Sequence, residues 1–328
     1  MRTGGAAGLR LFAGMVFLYI GAMNPPSAAQ NPPGTSVPKS AGYVDAMKSY
    51  LQLIKPRITV LILLVAMASF YLANPGSMDW KKFALMTAAT ALLACGIFAL
   101  NAYLERDIDL LMSRTARRPL PGKRLLPRRA LAFGVIVTAC ALVLLSVRVG
   151  WIAGLVGLFT TISYVLVYTP LKRHTELHTA IGALSGATPP LIGWAAARGS
   201  LAPGAWILSG ILFLWQFPHF LAIESMYRDD YQRAGIRVLP VSEPTGAAAA
   251  SVMVAALCLL LLLSAAPFLA GLSSRGAMFG CLLVGAGFLA AGVFHLLKKT
   301  PGSARVVLRA SVLYLPVVFG LLVFVGPR

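Results

Sequence analysis

Oxygen-donating side chains are scarce in this sequence, and they are not scattered. Six of its ten acidic residues fall in two short stretches, Asn101-Ala-Tyr-Leu-Glu105-Arg-Asp107-Ile-Asp109 and Glu224-Ser-Met-Tyr-Arg228-Asp229-Asp230-Tyr231. Each stands where a long apolar run meets a basic loop. Asn101, Glu105 and Asp109 recur every four residues, so on a helix they share one face. One amide oxygen and two carboxylates on successive turns suit Mg²⁺, which takes few protein ligands and leaves the rest to phosphate or water. Asp107 points off that face, and a loop arginine is its expected partner. In the second stretch Asp229 and Asp230 are adjacent, and they diverge unless the helix is already ending; Gly235 supplies the stop signal. Glu224 lies at least a turn deeper, and His219 deeper still, beyond the helix-kinking Pro218.

Cations ring these acids. Arg114, Arg117 and Arg118 follow the first stretch, and Arg228 belongs to the second. A third stretch, Tyr168-Thr-Pro-Leu-Lys172-Arg173, ends another apolar run, and Lys55-Pro56-Arg57 opens one. Carboxylates holding a metal ion, with Lys and Arg on the outer oxygens, are what neutralising a departing diphosphate requires. An allylic diphosphate that loses this group leaves a carbocation, which must meet its acceptor before stray water; a closed apolar chamber favours that. A single acid at a helix end reads as a solvated charge, and most of the cations read as snorkelling anchors. Clustering shifts the balance, because each ionisable group at membrane depth costs about 2.5–3.5 kcal/mol on insertion scales. For His219, a hydrogen-bonded core position and a substrate contact or proton carrier fit equally well. Taken together, the residues point to an intramembrane prenyltransferase.

The elements that must position these groups are long apolar helices. The chain has 328 residues, 58% of them hydrophobic, and a crossing takes about 20. Nine runs qualify, at about 58–74, 83–104, 130–147, 151–168, 179–197, 203–223, 246–271, 278–297 and 306–326. The expected fold is all-α: a polytopic membrane bundle of about nine transmembrane helices around a central cavity. The runs lack period-two alternation, which excludes a β-barrel. The four cysteines fall inside them without C-x-x-C spacing and read as small buried hydrophobes, not as a disulfide framework or zinc site. In the fifth run Gly182, Gly186, Pro189, Pro190 and Gly193 predict a broken helix, of the kind that lines a cavity and permits close packing.

A formal charge of +19 could signal nucleic acid, but its distribution follows the positive-inside rule. With the segment before the first crossing inside, twenty-one Lys and Arg residues face the cytoplasm and six face away. Nine crossings then put the N-terminus and both acidic clusters in the cytoplasm and the C-terminus outside. Residues 1–46 read as an extension: Arg10 and Leu11–Met23 resemble a signal core, Ser27-Ala28-Ala29 a cleavage site, and about 24–42 a Pro/Ser/Gly-rich linker. Met47 is a plausible alternative start, and 47–328 is the transmembrane domain.

The run Asn101-x-x-x-Glu105-x-Asp107-x-Asp109-x-x-Met112-x-Arg114-Thr115-x-x-Arg118-Pro119 resembles the first signature of the intramembrane aromatic prenyltransferase superfamily. Lys55-Pro56-Arg57, the stretch Tyr168-Thr169-x-x-Lys172-Arg173-x-Thr175 with Gly-Ala-Thr-Pro-Pro-Leu-Ile-Gly-Trp, and Pro218-His219-Phe220 through Asp230-Tyr231 to Pro240-Val resemble its branch that farnesylates protohaem IX. The resemblance covers about residues 47–326. It implies transfer of farnesyl from farnesyl diphosphate to a vinyl group of haem B, with water quenching the cation to give haem O and diphosphate. It also implies Mg²⁺ held with diphosphate by Asn101, Glu105, Asp109 and Asp230, and Arg57, Arg114, Arg118, Lys172, Arg173 and Arg228 about the phosphates. His219 is implied as a haem contact or proton carrier, and which of Glu224, Asp229 and Asp230 touches metal stays open. The implied setting is the bacterial inner membrane, with haem A synthase or terminal oxidase assembly as associates. Glu105 stands where the family carries Asp, and His178 where it carries Asn; the first lengthens the reach by a methylene and bears on metal geometry. An aromatic quinone precursor as acceptor would need the same diphosphate site with a smaller pocket. A CDP-alcohol transferase would need D-G-x-x-A-R, which is missing. A transporter would place acids nearer mid-membrane within inverted repeats, and a structural assembly factor would tolerate neutralised acids.

Overall fold

The computed structural model describes residues 43–325 apart from residues 75 and 77. The signal-like segment and linker of the extension lie outside the described residues. Thirteen helices account for the described chain: α1 (Tyr43–Leu53), α2 (Pro56–Ala73), α3 (Trp80–Asp109), α4 (Pro127–Val149), α5 (Trp151–Leu171), α6 (His178–Gly186), α7 (Pro189–Arg198), α8 (Pro203–Met226), α9 (Arg228–Arg233), α10 (Leu239–Ser242), α11 (Ala247–Leu269), α12 (Arg275–Lys298) and α13 (Pro301–Phe324). Proline occupies the first turn of α2, α7, α8 and α13, where its missing N–H would have been unpaired in any case. Asp79 caps α3 by accepting the Lys82 N–H at 2.9 Å, and Thr300 and Ser303 form a capping box on α13. The boundary read at residue 46 falls inside α1.

Eight of these helices are long and apolar enough to cross a membrane: α2, α3, α4, α5, α8, α11, α12 and α13. Leu262, Leu283, Leu297 and Val147 are exposed on them, as a lipid-facing surface demands. The chain is a multi-pass membrane protein. The ninth crossing expected from the sequence is present in two halves, α6 and α7, which part at Ala187–Thr188 because Pro189 cannot continue the hydrogen-bond ladder. Backbone groups freed at membrane depth need new partners, and side chains supply them. Thr188 donates to the Ser185 carbonyl at 2.8 Å and Ser209 to Ala187 at 2.7 Å, while Gln216 adds a bond to the Ala183 carbonyl at 2.8 Å and Ser69 one to Pro190 at 2.7 Å, tying the two halves to α8 and α2. Gly193 lets α7 lie directly on α2: a Cβ there would stand 2.0 Å from the Ala66 carbonyl oxygen. The core of the bundle is filled by Phe70, Phe288, Tyr314 and Phe319, all fully buried.

The cysteines are free, but only Cys281 is buried; Cys95 is half-buried and Cys140 and Cys258 are exposed. The inward placement expected of them therefore holds for one. In a bilayer the outer face is as apolar as the core, so an outward Cys incurs no penalty there. The carboxyl ends of α3, α5 and α8 and the starts of α2 and α6 converge at one end of the bundle, and everything below concerns that end.

Candidate active site

The last three turns of α3 carry the stack. Asn101, Glu105 and Asp109 are all buried, face one cavity of about 210 Å³, and each touches a cation. The Lys55 ammonium donates to Asn101 Oδ1 at 3.1 Å, while Asn101 Nδ2 donates to the Thr169 hydroxyl at 3.2 Å. Lys172 is paired with Glu105. Arg118 reaches both Asp109 oxygens, at 3.0 and 2.9 Å. Burial and the nearby Arg118 guanidinium push Lys55 down to about 7. Burial alone would lower Lys172 too, but the Glu105 carboxylate holds it well above the usual lysine range. Arg114 also lines the cavity and lies over the Tyr227 ring at 4.9 Å. Aromatic walls come from Tyr164 and Tyr168, 4.9 Å apart at their centroids on a π-helical stretch that ends α5. Such wide turns recur at functional sites, and this one sets the Lys172 ammonium 4.5 Å from the Tyr168 ring centre.

The second cluster is split by a break in the helix. α8 stops at Met226, Tyr227 takes a non-helical conformation, and α9 begins at Arg228. Asp229 is consequently exposed and Asp230 buried, and Gly235 ends the segment at φ 65. Asp230 does not line the cavity. Its carboxylate accepts the Ser113 hydroxyl at 2.8 Å and the Arg114 N–H at 3.3 Å, and pairs with Arg233. Burial alone would raise this carboxyl, yet the Ser113 and Arg114 hydrogen bonds and Arg233 hold it below its ordinary value. Asp230 thus clasps the loop that follows α3, joining the two acidic stretches at one end of the molecule. The acid that does face the cavity from this side is Glu224: Thr179 donates to Oε1 at 3.2 Å, and Oε2 is buried with no hydrogen-bond partner.

Other anticipated positions lie elsewhere. His219 faces α13, with Nδ1 2.8 Å from the Ser311 hydroxyl and its ring stacked on Trp215 at 4.7 Å. Arg57 and Arg173 are exposed outside the cavity lining. Arg228 and Asp229 line a separate surface cavity beside Lys299 and His295. Asp107 pairs with Arg106 at 3.5 Å, its neighbour on the helix and not a loop residue. Among the described residues no three His, Cys, Asp or Glu side chains group closely enough to hold a metal by themselves. Sequence reasoning passed over Ser113 and Thr179, and from the Lys55-Pro56-Arg57 motif it assigned Arg57, not Lys55, to the phosphates. The Lys-Pro pair was the available signal for Lys55: a lysine before a helix-starting proline is forced out of the α region, here to φ 49, which turns it toward Asn101.

The profile of the UbiA prenyltransferase family matches residues 62–324. A relative named protoheme IX farnesyltransferase, from Solibacter usitatus (strain Ellin6076), is 44% identical over 290 residues, covering 86% of this chain and 99% of that protein. Two solved structures share the architecture. A UbiA homolog from Aeropyrum pernix K1 superposes with a TM-score of 0.64 at 22% identity, over 81% of this chain and 97% of that one. One from Archaeoglobus fulgidus, bound to GPP and Mg²⁺, superposes with a TM-score of 0.58 at 16% identity, over 84% and 99%. Apart from Lys55 and Ile58, the residues that line the cavity sit within the region matched by the family profile, and the chain belongs to the UbiA prenyltransferase family.

Proposed function

We propose that this chain transfers the farnesyl group of farnesyl diphosphate to a vinyl group of haem B, with addition of water, to give haem O and diphosphate. The observation that carries the diphosphate half is the buried Asn101–Glu105–Asp109 stack facing Lys55, Lys172, Arg114 and Arg118 across one cavity. The acceptor is supported by the relative that is 44% identical over nearly its whole length and is named for protohaem IX.

The donor set fits Mg²⁺. Asn101, Glu105 and Asp109 offer hard oxygens on one helix face, and their number leaves ligand positions for phosphate. Asp229 and Asp230, the other anticipated ligands, point away from this set, and Glu224 is the acid opposite it. When bound, the metal supplies positive charge to the leaving diphosphate as its C–O bond breaks. Arg118 and Lys172 already rest on the carboxylates and need only turn toward the phosphate oxygens, and Lys55 adds a third cation. The Tyr164, Tyr168 and Phe220 rings wall the reacting end, where an aromatic face steadies an allylic cation by roughly 0.5–2 kcal/mol. At about 210 Å³ the cavity is below the roughly 300–1,000 Å³ of sites that enclose whole ligands. It therefore takes the polar head and the reacting carbon, and the prenyl tail and porphyrin extend beyond its lining.

The proposed setting is the bacterial inner membrane with the cavity open to the cytoplasm, a reading the charge bias supports, and an enzyme that consumes haem O is the expected associate. Membranes carrying the chain, given labelled farnesyl diphosphate and haem B, should yield a more hydrophobic labelled haem that vanishes when divalent cations are chelated. Label transferred to a hydroxybenzoate but not to haem would overturn the acceptor.

A further inference from the structure

Resting on that reading, we infer that Glu224 is the base that delivers water to the haem-borne cation, and so fixes the product as an alcohol.

Leaving a buried polar atom unpaired forfeits its solvation without return, and such atoms in native structures call for an explanation. Glu224 has one. Its carboxylate is buried in the last turn of α8, with Oε1 on the Thr179 hydroxyl and Oε2 without a partner. The ion pairs formed among the described residues go to Asp107, Asp109, Glu105 and Asp230; Glu224 has none, although it lines the same cavity as Lys172 and Arg118. The cavity therefore has two chemical sides. The α3 side gathers the cations that match a diphosphate. The α8 side presents Glu224 beside Phe220 and Ile223, a carboxylate that repels a diphosphate and attracts a carbocation. Thr179 fixes the carboxylate from α6, the half-helix whose break frees it to lie across from α3. A carboxylate held by an orienting hydroxyl, on a residue that lines the reaction space and with one oxygen left unpaired, is placed for general-base chemistry.

The step balances. Farnesyl C1 bonds to the terminal vinyl carbon as diphosphate leaves, and positive charge develops on the vinyl carbon attached to the ring. A water oxygen bonds to that carbon, one of its protons passes to the Glu224 carboxylate, and the hydroxyl stays on the product. Without the base the cation has another exit. It loses a proton from the adjacent methylene and becomes an alkene, lighter than the alcohol by one water.

The test is mass spectrometry of the haem pool made by membranes carrying the full chain, with farnesyl diphosphate, haem B and isotopically labelled water. Glu224→Gln keeps the shape and hydrogen-bonding reach but cannot take the proton. It should still make farnesylated haem, with the ratio of alcohol to alkene lowered on the order of 10²-fold and label incorporation falling in parallel. Glu224→Asp should restore part of the ratio, and Thr179→Val should lower it less than Glu224→Gln does. An unchanged ratio in Glu224→Gln, at any total yield, overturns the inference. So does joint loss of both products in Glu224→Gln and Glu224→Asp with the chain still in the membrane, which would make Glu224 part of the diphosphate site. If the parent chain yields no farnesylated haem at all, it is the proposed function that fails, and the two failures are distinct.

Discussion

Each member of the α3 stack is held by a different cation, so single substitutions should separate their contributions. Asp109→Ala removes one carboxylate and frees Arg118, and haem O formation should fall by on the order of 10²–10³ or more, with the chain still inserted. Chromatography of extracted haems measures it, and near-parental haem O in this variant would remove Asp109 from the diphosphate site. Lys55→Met should act differently. The ammonium stands 3.1 Å from Asn101 and enters no ion pair among the described residues, so its loss removes a charge-assisted contact of about 1.5–3 kcal/mol. That corresponds to roughly a ten- to hundredfold rise in KM for farnesyl diphosphate. Arg57→Met, altering the exposed residue two positions on, should leave KM within about twofold, as surface changes generally do. Steady-state kinetics on the pair decides between the two cations of that motif.

At the scale of elements, what could be read from the sequence depended on whether one helix settled the answer. Asn101, Glu105 and Asp109 were legible because α3 runs unbroken through them, and spacing alone fixes their common face. Asp230 was not, since its direction is set by the break at Tyr227 and by a loop more than a hundred residues away. The broken crossing was legible from Gly182, Gly186, Pro189 and Pro190, but the residues that bridge to it, Ser69, Ser209 and Gln216, come from other helices and carry no local signal. Arg57 was favoured over Lys55 within their motif because the inward turn of Lys55 comes from a left-handed backbone, not from the helical wheel. Two predictions belong here. If Asp230 acts by clasping the loop after α3, Asp230→Asn and Ser113→Ala should each loosen it, and the double variant should cost little more than Asp230→Asn alone, since contacting residues are not additive. Proteolytic cutting at Arg117 and activity report this, and full additivity would mean that Ser113 and Asp230 act independently of each other. Gly193→Val should lower the melting temperature in detergent strongly, because its Cβ would overlap the Ala66 carbonyl and neither backbone can withdraw.

Over the whole molecule, the convergence of α3, α5 and α8 puts both acidic stretches on one face of the membrane, and the charge bias proposes which. Asp107 is 77% exposed at its side chain, so Asp107→Cys in a chain whose own exposed cysteines, Cys140 and Cys258, are replaced by serine should react with an impermeant maleimide from the cytoplasmic side alone. Labelling from the opposite side would invert the orientation. Removing residues 1–42 keeps all of α1 and its buried Ser49 and Leu53, so the shortened chain should make haem O at close to the parental rate.

The pairing of Glu105 with Lys172 and of Asp109 with Arg118 has a consequence for turnover. A low-dielectric membrane penalises any step that bares a charge, and here none needs to be bared. The site behaves as an ion exchanger: the arriving diphosphate would take over Lys172 and Arg118 while the Mg²⁺ that accompanies it would replace them on Glu105 and Asp109, and departure would restore the stored pairs. Catalysis can therefore cycle inside a greasy slab without the slab having to tolerate a naked ion.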